Sequence, residues 1–150
     1  MDELWKIAEE FRLLVCSRMG SFTREEQRSL SGDYLFIIDG EPHFILMVGE
    51  FGCWSVVLSC AKGKLLSFEV DPHCPLTVTQ DEVENCLSCS ARTKITTDSD
   101  TLKKLLLGRL KAKVAFLSGK VLFDGDLAAF LKMVSLLKKN GIQPLSNKMG

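Results

Sequence analysis

The sequence predicts an α+β fold, a single mostly antiparallel sheet with helices packed on one face. Three observations indicate this class. The first residues repeat apolar side chains at helical spacing, and residues 33–70 are rich in aromatic and β-branched residues broken by turns at regular intervals. The last third returns to leucine-rich segments bounded by capping residues.

The first predicted element is an amphipathic helix over residues 2–18 that ends at Gly20. Charged residues separate its apolar stripe, which consists of Leu4, Ile7, Ala8, Phe11, Leu14 and Val15. Residues 21–31 are polar and fit one further short helical turn.

Turns at residues 39–40, 49–52 and 61–64 divide the middle of the chain into four predicted strands. The strands lie at 34–38, 43–48, 54–60 and 65–70 and form an antiparallel meander. Residues 71–90 contain two prolines, three cysteines and an acidic run, and they are predicted to form a loop insertion with little regular structure.

The C-terminal elements are placed by their capping residues. A short strand is predicted at 92–96, and Thr97 with Asp100 forms a capping box for a helix that ends near Gly108. A short apolar segment at 114–117 and a strand at 120–123 follow. Asp126 then caps a closing helix that runs from Leu127 to about residue 139.

Composition predicts one domain over residues 1–150, because a 16.7 kDa chain with 46% hydrophobic residues can bury a real core. No apolar run is long enough to cross a bilayer and no signal peptide is apparent, so we expect a cytoplasmic protein. Lys and Arg total 19, equal to Asp and Glu, yet residues 101–150 carry 10 basic and 2 acidic side chains. The basic residues of this C-terminal third can bind an anionic membrane, an acidic partner or the acidic remainder of the chain.

Sequence motifs do not predict an enzyme or a bound cofactor. His43 and His73 have no partner at a recognisable catalytic spacing, and the GxSxG, P-loop, GxGxxG and HExxH strings are absent. Cys86 and Cys89 form a lone CxxC, which without a second ligand pair favours small apolar packing residues over a zinc or redox site. The basic residues around Phe116 do not predict nucleic-acid binding, since the pI is about 6.7 and no docking motif accompanies them.

The closing helix has more apolar surface than one sheet-facing stripe uses. Nine of the thirteen residues at 127–139 are apolar. We expect the apolar surface that the sheet does not bury to pack against another helix, another subunit or an apolar ligand.

Residues 108–126 resemble the C-terminal signature of the sterol carrier protein family. They present a Gly-basic start at Gly108, Ala-Phe at 115–116, Gly-Lys at 119–120, an alternating strand, and Gly-Asp at 125–126 opening the last helix. The similarity covers about residues 92–139. Two departures stand out: Lys111 to Lys113 replace the family's usual proline, and residues 71–90 look like an insertion.

The resemblance implies a five-stranded sheet with helices over one face and an apolar tunnel between them. The tunnel would hold a fatty acid, acyl-CoA, sterol or phospholipid for non-enzymatic binding and transfer. The residues implied to contact the lipid are Leu106, Phe116, Leu127, Phe130, Leu131 and Val134. Those implied to meet lipid headgroups or an anionic membrane are Lys132, Lys138 and Lys139.

The alternative is a protein-interaction or homodimerisation module that uses the apolar closing helix. A filled tunnel would favour the carrier, and a flat apolar patch would favour the module. The family's C-terminal peroxisomal tripeptide is not present, which again leaves the cytoplasm as the expected location.

Overall fold

The fold is built on one six-stranded mixed sheet with strand order β4-β3-β2-β1-β5-β6. A computed structural model describes residues 6, 9–10, 12–13, 22–49, 52–72, 74–106 and 109–132, without the side chains of Cys89, Leu106 and Ala112. The strands are β1 Gly32–Ile38, β2 Glu41–Gly49, β3 Gly52–Ala61, β4 Lys64–Val70, β5 Thr93–Thr97 and β6 Leu122–Gly125. The predicted α+β class is confirmed.

The four-strand meander is also confirmed, with β1 to β4 pairing antiparallel in sequence order. Two of its turns place a non-glycine residue and then a glycine at positive φ, Asp39-Gly40 and Lys62-Gly63. β5 pairs parallel with β1, and β6 pairs antiparallel with β5. The sheet therefore has six strands, one more than the resemblance implied, because Leu122–Gly125 extends it beyond β5.

Helices connect and cover the strands. They are α1 Arg24–Leu30, α2 Gln80–Asn85, α3 Ser99–Leu106 and α4 Ala112–Leu117, with a π-helical turn at Cys86–Ser90 directly after α2. Residues 127–132 are helical, as predicted for the start of the closing helix. Within the predicted first helix, residues 6, 9, 10, 12 and 13 are described, and all are helical.

Two sequence-based expectations need correction. Residues 80–90 are helical, so the expectation of a loop with little regular structure is wrong for that half of the 71–90 segment. The strand predicted at 120–123 begins two residues later, because Ser118 to Val121 complete the turn that leaves α4. The apolar segment at 114–117, for which the sequence predicts no particular secondary structure, is part of helix α4.

The cap of α3 is Asp98 and not Thr97. Thr97 is the last residue of β5, and its hydroxyl donates to the Lys120 carbonyl at 3.0 Å. Asp98 instead accepts from the Thr101 N–H at 2.7 Å and from the Thr101 hydroxyl at 2.9 Å. The Thr101 N–H holds the pKa of Asp98 below its ordinary value.

The sheet buries apolar side chains on both faces. The first face carries Tyr34, Phe36, Ile38, Phe44, Leu46, Val48, Cys53 and Ile95, covered by residues from α1, α3, α4 and the helical 127–132 segment. The second face carries Leu35, Ile45, Val56 and Leu58, and it packs against Val83 of α2 and Cys86 of the π-helical turn. Helices thus gather on the first face as predicted, while α2 covers the second.

Candidate functional site

Five phenylalanine rings form a continuous series on the first face, which we call the phenylalanine series. Phe44 stacks on Phe36 with ring centroids 4.4 Å apart, and Phe36 meets Phe130 edge-on at 6.2 Å. Phe130 contacts Phe123 at 5.3 Å, and Phe123 contacts Phe116 at 5.5 Å. The series therefore connects the centre of the sheet to helix α4.

Burial decreases along the series. Phe36, Phe44 and Phe130 are buried, Phe123 is partly buried, and Phe116 is 36% exposed. An apolar path thus leads from the interior of the protein to its surface beside α4.

The strand register explains the inner end of the series. The Asp39-Gly40 turn folds β2 back on β1 so that Phe36 lies directly opposite Phe44. Both rings point to the first face, since side chains alternate along a strand.

Arg92 and Asp126 fix the start of the helix that carries Phe130. Arg92 donates to Asp126 Oδ2 through Nε at 3.1 Å and through Nη2 at 3.0 Å, and its Nη1 donates to the Ser31 carbonyl at 2.8 Å. Asp126 Oδ1 accepts from the Ala129 N–H at 2.9 Å, which confirms Asp126 as the N-cap. That N–H, together with Arg92, holds the pKa of Asp126 below its ordinary value.

Gly125 permits this anchor because it lies at φ +100° against the backbone of β5. A Cβ at this position would lie 2.5 Å from the Arg92 carbonyl oxygen. The same oxygen accepts from the Asp126 N–H at 2.9 Å, so the close approach and the cap belong to one arrangement.

Buried hydroxyls around the series donate to backbone carbonyls. Tyr34 Oη donates to the Leu30 carbonyl at 2.7 Å, and Thr93 Oγ1 donates to the Asp126 carbonyl at 2.7 Å. Burial raises the pKa of Tyr34 above its ordinary value, which favours the protonated hydroxyl that donates this bond. These groups complete the fold, and the surface that the series offers is apolar.

The structure brings two of the residues implied by the resemblance, Phe116 and Phe130, into the phenylalanine series through Phe123. Leu127 and Leu131 are half-buried on the same helical segment as Phe130, and Lys132 is exposed. Val134, Lys138, Lys139 and the side chain of Leu106 lie outside the described residues.

Sequence reasoning missed Phe36, Phe44 and Phe123. The signal was available, since Phe36 and Phe44 alternate with other inward-facing residues on strands that were correctly predicted. What was missing was the register that places them opposite each other and beneath Phe130.

The second face holds the first cysteine of the CxxC. Cys86 is 2% exposed, and burial, with Asp33 nearby, raises the pKa of its thiol to about 12. Such a thiol is a poor nucleophile and a poor metal ligand at neutral pH. In the described part of the chain, no three His, Cys, Asp or Glu side chains are grouped to hold a metal ion.

The sequence of residues 55–138 matches the model of the SCP-2 sterol transfer family. The match covers more than half of the chain and includes Phe116, Phe123 and Phe130. The chain therefore belongs to the SCP-2 sterol transfer family, which confirms the resemblance seen in the sequence. No match to this sequence is found among the curated proteins. Helices long and apolar enough to span a bilayer are not found in the part of the chain that the structure describes.

Three solved structures are similar to this chain at low sequence identity. The UbiJ-SCP2 ubiquinone synthesis protein is similar at 14% identity with a TM-score of 0.52, over 89% of this chain and 94% of that one. Sterol carrier protein-2 like-3 from Aedes aegypti is similar at 14% identity and a TM-score of 0.49, over 83% of this chain and 91% of its own. The sec-alkylsulfatase Pisa1 from Pseudomonas sp. matches 84% of this chain over 15% of its own, at 15% identity and a TM-score of 0.42.

Proposed function

We propose that this protein binds an apolar lipid between the first face of the sheet and its covering helices, and transfers it without chemistry. The ligand is a fatty acid, an acyl-CoA, a sterol or a phospholipid. The phenylalanine series carries the proposal, because it joins the buried face of the sheet to the surface through apolar side chains alone. Membership of the SCP-2 sterol transfer family supports it.

Apolar burial supplies the affinity. A chain of about 16 carbons gains ~0.8 kcal/mol per buried CH₂, or roughly 12 kcal/mol before the cost of ordering the ligand is subtracted. Binding therefore needs no strong polar contact, and release needs only a second apolar environment to receive the chain. A carrier of this kind makes and breaks no covalent bond.

The residues we assign to the acyl chain or sterol ring follow the series. Phe116 lies at the outer end and Phe130 at the inner end, with Leu127 and Leu131 on the helical segment of Phe130. Leu106 and Val134 are assigned to the same contact from the sequence. Lys132 is exposed one turn beyond Ala128, and we assign it to the ligand headgroup together with Lys138 and Lys139.

The experiment is native mass spectrometry of the purified protein with lipid extraction, alongside displacement of a bound fluorescent fatty acid. We expect co-purified lipid and saturable displacement. Phe130→Ala and Phe116→Ala should each weaken affinity by about tenfold, the effect of losing one aromatic contact of ~1.4 kcal/mol. Phe116 is partly exposed, so its truncation leaves folding least affected.

Phe68→Ala is the matched control. It removes the same ring from a partly buried position on β4 that packs against the second face, away from the phenylalanine series. We expect its affinity for the fatty acid to equal that of the unmodified protein. A protein that carries no lipid, ignores all four ligand classes and dimerises through its closing helix would contradict the proposal and favour the interaction module.

A further inference from the structure

We propose that helix α4 docks the protein on an anionic lipid bilayer, with Val114 and Leu117 entering the interface and Lys111, Lys113 and Lys120 contacting the headgroups. We call these five residues, with Phe116, the α4 patch. The proposal goes beyond cargo binding, because it assigns a surface that meets the membrane whether or not a ligand is bound.

The helix geometry turns the apolar side chains of the patch outward. Ala115 is completely buried and marks the side of α4 that faces the core. Lys113 and Leu117 each lie two residues from Ala115, roughly 160° away around the helix axis. Leu117 is accordingly 73% exposed and Val114 49% exposed. Large apolar side chains on the outer side of a charged helix are a feature of interfacial membrane contact.

The charge of the surroundings selects an anionic partner. Residues 109–122 contain Arg109, Lys111, Lys113 and Lys120, all exposed, and no acidic residue. Each cation near an anionic bilayer strengthens binding by about fivefold. A nucleic acid would use the cations but gains nothing from an exposed leucine beside them, whereas a bilayer interface accommodates both.

The position of the patch also suits delivery. Phe116 belongs to the patch and contacts Phe123 at 5.5 Å, so the outer end of the phenylalanine series lies within the docking surface. A ligand leaving by that end would pass directly into lipid.

The test is co-sedimentation with vesicles of phosphatidylcholine alone and of phosphatidylcholine mixed with phosphatidylserine. We expect binding to the mixed vesicles that weakens at high salt. Leu117→Ser should reduce binding to the mixed vesicles by about tenfold, because serine does not gain the free energy that leucine gains on entering the apolar interface. Lys113→Gln should reduce it by about fivefold. Displacement of the fluorescent fatty acid should be unchanged in both variants, which separates this proposal from the proposed function.

Strand β4 provides matched controls at the opposite edge of the sheet. Leu66 is 67% exposed and Lys64 is exposed, so Leu66→Ser and Lys64→Gln make the same chemical changes on a surface outside the patch. We expect both to bind vesicles like the unmodified protein. Equal losses in the patch and control variants would overturn the proposal, as would failure of the unmodified protein to bind mixed vesicles. The proposal would also be overturned if the protein bound heparin as tightly as it binds the mixed vesicles, with the same salt sensitivity, and if Leu117→Ser did not change that binding.

Discussion

Replacing Gly125 with alanine tests whether the close approach of β6 to β5 sets the position of the closing helix. The new Cβ would lie 2.5 Å from the Arg92 carbonyl oxygen, closer than a carbon and an oxygen can approach. The backbone must move, and the hydrogen bond from the Asp126 N–H to that oxygen weakens with it. We expect a loss of ~1–2 kcal/mol from the left-handed backbone and ~1 kcal/mol or more from the displaced contact.

Gly119→Ala is the matched control, because Gly119 also has positive φ, at +78°, but nothing lies within 4 Å of its Cβ position. Gly119→Ala is destabilised only by the strain of alanine at positive φ. Both variants restrict the unfolded chain to the same extent, so that effect cancels in the comparison. Chemical and thermal denaturation should place Gly125→Ala below Gly119→Ala by ~1 kcal/mol or more, which is at least ~2–4 °C in Tm. Fatty-acid affinity should fall only in Gly125→Ala. Equal stability losses would refute the role assigned to this contact.

Three further predictions follow from the described side chains. Exchanging Phe116→Leu with Leu117→Phe keeps the patch apolar but turns the ring away from Phe123, so fatty-acid affinity should fall by about fivefold while vesicle binding holds. Burial, then Glu82, raises the pKa of Asp33, so the stability that its neutral form contributes is lost as pH rises through the folded pKa. Asp33→Asn should therefore be more stable than the unmodified protein at pH 7, and urea titrations should show this difference shrinking as pH falls through the raised pKa of Asp33 and disappearing at the ordinary carboxyl pKa. Burial raises the pKa of the Cys86 thiol to about 12, so peptide mapping after iodoacetamide treatment at pH 8 should find Cys86 labelled only once denaturant is present. Rapid labelling of native protein would contradict this.

The elements predicted correctly from sequence are those whose signals are local. Alternating side chains and glycine-containing turns place the first four strands, and Asp126 caps the closing helix within its own first turn. Thr97 was wrongly predicted as the cap because its hydroxyl donates to the carbonyl of Lys120, which lies 23 residues away in the sequence. No local pattern carries that contact.

Helix α2 was missed for a related reason. Its six residues bury one apolar side chain, Val83, against the second face, and its other positions look like an acidic loop. A helix this short is held by tertiary packing and by its cap, Thr79, which accepts from the Glu82 N–H at 3.2 Å. The candidate site was likewise predicted only in part. The local family motif indicates Phe116 and Phe130, whereas Phe36 and Phe44 join the site through the pairing of β1 with β2, which no local pattern shows.

Helix α4 shows why three adjacent residues can serve three purposes. Successive side chains on a helix are about 100° apart, so Ala115, Phe116 and Leu117 face different surroundings. Ala115 packs in the core, Phe116 contacts Phe123, and Leu117 is exposed. A single short helix therefore joins the fold, the proposed lipid path and the proposed docking surface. Because the three contacts belong to different residues, each can be removed separately, and a change at Leu117 can reduce membrane binding while leaving the ring contact of Phe116 in place.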